Sequence, residues 1–237
     1  MMEGPPPYPT ESWSDKLHLV ARAGMSAAPF IGGSALEFFN YFIAPPIQTR
    51  REEWVKSVYE SLNQWVSRLE QENSLRWEDL SNNDEFVSAF IQVSVIAVKN
   101  HQKEKLDALR NAVVNVAMGH SPEDSKRELF LRFVDDLTVL HLEALVAFRN
   151  HDRRMHGRSH VRTSISEIAA RLQELVPNLQ SQSALAEIVV NDLCQCGLLF
   201  WNRSGGATRL AGLNQVADLG IEFLDFISQP KGSFPCT

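Results

Sequence analysis

The sequence predicts a mainly α-helical protein: an N-terminal helical bundle, then a C-terminal winged-helix-like module with a small β-hairpin. Three observations carry this. Apolar residues recur at helical spacing through most of 15–150. A basic stretch poor in apolar residues interrupts that pattern at 151–162. Between 163 and 228 the signals run helix, helix, hairpin, helix, which is the order of a winged helix. Residues 1–14 and 229–237 read as tails, rich in Pro and Gly at their outer ends.

The first element of interest spans Ala23 to Ile47, where Glu37 is the sole formal charge. Pro29 and Gly32-Gly33 divide it into pieces, each too short to cross a bilayer alone. Ser34-Ala35-Leu36-Glu37 is a capping-box signature that opens a short helix ending before Pro45. Glu37, Asn40 and Tyr41 give that helix a narrow polar strip; Leu36, Phe38, Phe39, Phe42 and Ile43 cover the rest. Burial in the bundle core is the favoured reading. Release to a membrane or a partner through Phe30, Phe38, Phe39 and Phe42 is the minority one. Glu37 opposes membrane entry by about 2.5–3.5 kcal/mol on insertion scales.

Pro46 suits the first turn of the next helix, whose apolar face holds Ile47, Trp54, Val55, Val58, Leu62, Trp65, Val66 and Leu69. A short connection is expected around Arg76–Ser81, with Asn82 and Asn83 capping a third segment. Phe86, Val87, Phe90, Ile91, Val93, Val95, Ile96 and Val98 leave that segment almost no polar face, which predicts a place at the centre of the bundle. Asn100 to Lys103 is a polar break before a helix with Leu106, Leu109, Val113 and Val116 inward, ended by Gly119. Ser121-Pro122-Glu123 restarts the chain as a cap, and Leu129, Phe130, Phe133, Val134 and Leu137 form the next stripe. Thr138 caps the last bundle helix, expected to run through Phe148.

In the C-terminal module, Ser164-Ile165-Ser166-Glu167 is a second capping box, for a helix ending near Pro177-Asn178. Ser183 opens the following helix, with Leu185, Ile188, Val189 and Leu193 predicted inward and Gly197 at its end. Leu198–Trp201 and Thr208–Leu213 read as paired strands around Arg203-Ser204-Gly205-Gly206. A final helix holds Leu219, Phe223, Leu224 and Ile227.

Composition narrows the function. With a net charge of −6 over 237 residues, a general nucleic-acid binder is disfavoured. The second module helix carries Glu187, Asn191 and Asp192 but no Lys or Arg, so it is poorly made for the major groove. The candidate nucleic-acid contacts are Arg153, Arg154 and Arg158 in the linker and Arg203 and Arg209 in the wing. The linker histidines His151, His156 and His160 have no carboxylate or thiolate partner at ligand spacing, so no metal site is expected. Cys194 and Cys196 diverge by about 200° on a helix, which disfavours a chelate or a disulfide. No catalytic or cofactor motif occurs, and no cofactor is expected. The three cysteines and the lack of a signal-peptide pattern lead to an expected cytoplasmic setting, with peripheral membrane contact as the secondary one.

A family resemblance rests on several stretches: Pro29-Phe30-Ile31-Gly32-Gly33, Pro45 through Trp54, Asn83 through Ala89, and Lys105 through Ala112. Asp192 through Leu198 and Leu219 through Ile227 extend it. In these the chain resembles bacterial abortive-infection alpha-type proteins. The resemblance implies an all-helical protein linked to phage defence, and it implies no catalytic residues. The expected role is a non-enzymatic interaction protein, a defence effector or sensor whose hydrophobic N-terminal segment is conditionally released, with a protein partner and self-association among its contacts. The competing role is a transcriptional regulator that uses the wing and linker arginines on DNA.

Overall fold

Helix caps set several of the element boundaries. The computed structural model describes residues 44–69, 76–155, 164–200 and 215–230. The expectations for the tails, for most of the segment from Ala23, and for the hairpin turn and return strand lie outside these residues. The chain divides into two compact units, Met1–Asp84 and Glu85–Thr237.

In the first unit, α1 spans Ala44–Leu69. Pro45 and Pro46 sit in its first turn, where no backbone N–H is needed for the helical ladder. Trp54, Val58, Leu62 and Val66 are buried at four-residue intervals. Lys56 and Glu60 pair along the helix at 3.9 Å on exposed positions. The expected connection at Arg76–Ser81 is instead a short helix, α2 (Trp77–Ser81). Asp79 is the reason, because its carboxylate accepts from the Arg76 backbone N–H at 2.9 Å and fixes the first turn. Tyr59 stacks on Trp77 with centroids 5.4 Å apart, which fastens α2 to α1.

The second unit holds α3 (Asp84–Lys99, its first residue at the junction), α4 (Lys103–Ala117), α5 (Asp124–Asp136) and α6 (Val139–Met155). It continues with α7 (Ile165–Leu175), a 3-10 turn (Pro177–Leu179), α8 (Ser183–Gln195) and α9 (Asp218–Ile227). Two of these helices end in the same way. Gly119 and Gly197 adopt φ of +71° and +72°, a left-handed conformation that costs glycine nothing. The glycine N–H and the one after it turn back to the last carbonyls of each helix: Gly119 to Val116 and His120 to Asn115, then Gly197 to Cys194 and Leu198 to Leu193. At the start of α7, Ser164 accepts from the Glu167 N–H at 3.2 Å, as the capping box predicts. The start of α5 differs from expectation. It begins at Asp124, two residues beyond Pro122, and Ser121 turns instead to the Arg127 guanidinium at 3.0 Å.

Within the unit, α7 packs on α8 and both pack on α6, while α9 lies against α4 and α6 and α4 against α5. Helices on either side of the basic stretch therefore share one core. At its centre Phe223 of α9 meets Phe130 at 5.5 Å and Phe133 at 5.7 Å, with Phe226 a further 5.9 Å neighbour of Phe130. Polar contacts fix α9 as well. Asn115 donates to the Phe226 and Ser228 carbonyls at 2.7 and 2.9 Å, and Asn111 donates to Ile227 at 3.0 Å. Two amides one turn apart on α4 thus satisfy carbonyls that the end of α9 would leave without partners.

Helix α6 runs to Met155, so positions 151–155, assigned from the sequence to a linker, form its last turns. Apolar residues fade there because polar groups hold the inward positions. Arg149 pairs with Asp225, and buried Asp152 accepts from the Val216 N–H at 3.0 Å. Two apolar faces also turn differently from expectation. On α8 the buried set is Ala186, Val189, Val190, Leu193 and Cys194, whereas Leu185 and Ile188 are 37 % and 56 % exposed. The small side chain of Ala186 is turned inward, and the two larger residues are turned outward. On α3 the buried positions are Ala89, Val93, Ser94 and Ala97, and Val87, Ile91 and Val95 face outward, so the helix is not central. Ion pairs hold α3 parallel to α5, Glu85 with Arg127 near their starts and Lys99 with Asp135 at 2.9 Å near their ends.

Among the described residues there is no strand. Leu198–Phe200, expected to begin a hairpin, form no strand. Leu199 makes an isolated antiparallel bridge to Val216, which lies beyond the expected return strand Thr208–Leu213, and the Phe200 N–H donates to the Gln215 carbonyl at 2.8 Å. Gly220 lies directly under this bridge, where a Cβ would collide with the Leu198 carbonyl oxygen. No helix among the described residues is long and apolar enough to cross a membrane.

Candidate functional site

The junction between α5 and α6 brings buried Lys105 and His141 beside the less buried Asp135 and Asp192. Lys105 reaches across from α4, almost fully buried, and donates to the Asp135 carbonyl at 2.8 Å, closing the end of α5. Burial pushes its ammonium below the ordinary lysine range, while Asp135 and Asp136 pull it back. Thr138 follows, and its carbonyl accepts the first N–H groups of α6, from His141 and Leu142.

His141 is buried in the first turn of α6, and its two ring nitrogens have different tasks. Nδ1 lies 2.7 Å from Thr138 Oγ1 and accepts from the Thr138 backbone N–H at 3.3 Å. Nε2 lies 3.4 Å from Asp192 Oδ2 on α8. This network assigns the proton to Nε2. Burial lowers the ring's pKa below its ordinary 6.5, against the opposing pull of Asp192. Hydroxyl, imidazole and carboxylate thus stand in the order of a nucleophilic relay. Here, however, hydroxyl and backbone amide of one residue converge on one nitrogen three positions on, the pattern of a helix cap. A ring with a depressed pKa is also a weaker base.

The nearby thiols are not activated. Burial raises Cys194 to about 11, and burial followed by the charge of Asp192 raises Cys196. Among the described residues, no group of three or more His, Cys, Asp or Glu side chains is placed to hold a metal ion.

Because the neutral ring is favoured in the folded state, protonation of His141 opposes folding. The contribution of this group is fully present above pH 6.5 and is lost as the pH falls from there through the lower folded-state pKa. His141→Asn is therefore expected to lose less stability than the parent between pH 7.5 and 5.5, read as the change in Tm on acidification. His151, shifted in the same direction, keeps some slope in both proteins.

The residues singled out from the sequence are only partly placed. Arg153 and Arg154 are exposed near the end of α6, and the Arg154 Nε–H bonds back to the Asn150 carbonyl at 3.2 Å. Arg158, Arg203 and Arg209 lie outside the described residues, as do Phe30, Phe38, Phe39 and Phe42. The exposed face of α8 was missed. It presents Leu185, Glu187 and Ile188, an apolar pair with an acidic neighbour and no cation. His141 was missed as well, although Thr138 three residues before it marks a cap.

No family model, no curated protein and no solved structure matches this chain.

Proposed function

We propose that residues 163–228 form a winged-helix-like module that binds protein, and that the chain is a non-enzymatic interaction protein. The exposed Leu185–Ile188 face of α8 is its contact surface. The observation that carries this is the chemistry of α8. The helix that a winged helix normally offers to DNA exposes Leu185 by 37 % and Ile188 by 56 %, and it bears Glu187 and Asp192 without a Lys or Arg. A surface of this kind gains by excluding water against another apolar surface and would be repelled by phosphates. The order α7, 3-10 turn, α8, antiparallel bridge and α9 supports the winged-helix reading. The capping role of Thr138 and His141 and the raised thiol pKa values support the non-enzymatic one. Resemblance to the abortive-infection alpha-type proteins makes phage defence the biological setting of this proposal.

The test is a phage challenge of bacteria expressing the chain, read as efficiency of plating, beside a salt-titrated mobility shift on duplex DNA. Protection that Ile188→Asp removes while the fold persists, with Arg153→Glu/Arg154→Glu still protective, is the expected result. Retained protection in Ile188→Asp overturns the contact surface. Duplex binding with a steep salt slope, abolished by the arginine substitutions, overturns the protein-binding reading in favour of a DNA-binding regulator.

A further inference from the structure

A second exposed apolar surface lies on α3, away from the module. Val87, Ile91 and Val95 are 38 %, 53 % and 57 % exposed and are spaced four residues apart. At a helical rise of about 1.5 Å per residue they form one stripe about 12 Å long. Asp84, exposed, stands three positions before the stripe, and Lys99, its side chain 57 % exposed, stands four after it. Between Glu85 and Lys99 the helix carries no charge. Exposed Ser88 and Gln92 border the stripe with groups suited to a wet rim.

This pattern is complementary to itself when turned end for end. A valine lies four positions either side of Ile91, and the two ends carry opposite charges. We propose that a second copy of this chain packs on the stripe, α3 against α3 in antiparallel orientation, about a two-fold axis at Ile91. Ile91 then meets its own counterpart, Val87 covers Val95 of the other copy, and Asp84 lies beside the other copy's Lys99. A parallel arrangement would set like charges together and align the helix dipoles unfavourably. The pairing of Lys99 with Asp135 does not conflict, since an ammonium has further N–H groups to share and an exposed ion pair holds it weakly. A stripe of three side chains per copy falls below the roughly 1,000 Å² of a stable interface, so the dimer is weak, on the order of micromolar.

Sedimentation equilibrium of the full chain over a broad concentration series tests this. A monomer–dimer equilibrium is expected, which Ile91→Asp weakens by at least about tenfold. Asp84→Lys and Lys99→Asp should each weaken it too. Mixing those two variants should restore dimers, because every end-to-end contact in the mixed pair joins opposite charges. The double swap within one chain should restore them as well. A chain that stays monomeric throughout, or a dimer that Ile91→Asp leaves intact, overturns the proposal. Failure of both rescues overturns the antiparallel geometry. Should Ile91→Asp impair folding, seen as a lost far-UV helical signal, the charge-swap series decides, since its residues are exposed.

Discussion

Phe223→Ala is expected to destabilise the second unit by about 3–5 kcal/mol, the range for deleting a buried aromatic side chain. Phe223 is fully buried, and it touches Phe130 and, edge-on, Phe133. The surrounding rings belong to a helix pinned at both ends by ion pairs, so the cavity can collapse only in part. Denaturant unfolding followed by far-UV circular dichroism would give the change directly as a shift in midpoint. A loss below about 1 kcal/mol would mean that α9 is not held where the structure places it.

Asn115→Ala is the second large effect. It removes the amide that donates to both the Phe226 and Ser228 carbonyls and leaves one buried and one partly buried acceptor without that donor. Each orphaned group costs about 1–3 kcal/mol, the partly buried one at the low end, so a total of about 2–4 kcal/mol is expected. Asn111→Ala, which removes a single and only partly buried bond, should cost clearly less. The ordering of these two substitutions is the informative measurement, because simple loss of side-chain volume would make them alike.

Local chemistry made much of the fold legible. Gly119, Gly197 and Ser164 act at helix ends as their residue types require. The expected stripes are buried at Trp54, Val58, Leu62 and Val66 of α1, at Leu109, Val113 and Val116 of α4 and at Phe130, Phe133 and Val134 of α5, while Val55, Trp65, Leu106 and Leu129 are half-buried. The faces of α8 and α3 were misread for a common reason. Each helix carries two overlapping apolar stripes, and size favours the one with Leu185 and Ile188, or with Val87, Ile91 and Val95. Packing selects the other, where Ala186 or Ala89 and Ala97 turn inward. The end of α6 was missed because Arg149 and Asp152 replace apolar groups at its inward positions, and their partners lie 76 and 64 residues away. The His141–Asp192 contact spans 51 residues, so only the cap half of that arrangement has a local signature.

The docking of α9 onto α4 also sets the order in which the second unit can be made. Asn115 and the Phe226 carbonyl it satisfies are 111 positions apart, and the intervening helices must be synthesised before the two can meet. During translation, Phe130 and Phe133 emerge long before Phe223 is available to cover them. The nascent chain therefore carries exposed aromatic surface on α5 until α9 leaves the ribosome. Such surface attracts chaperones and promotes aggregation. Closure of the unit is in this sense a late event in its synthesis, timed by the arrival of one ten-residue helix.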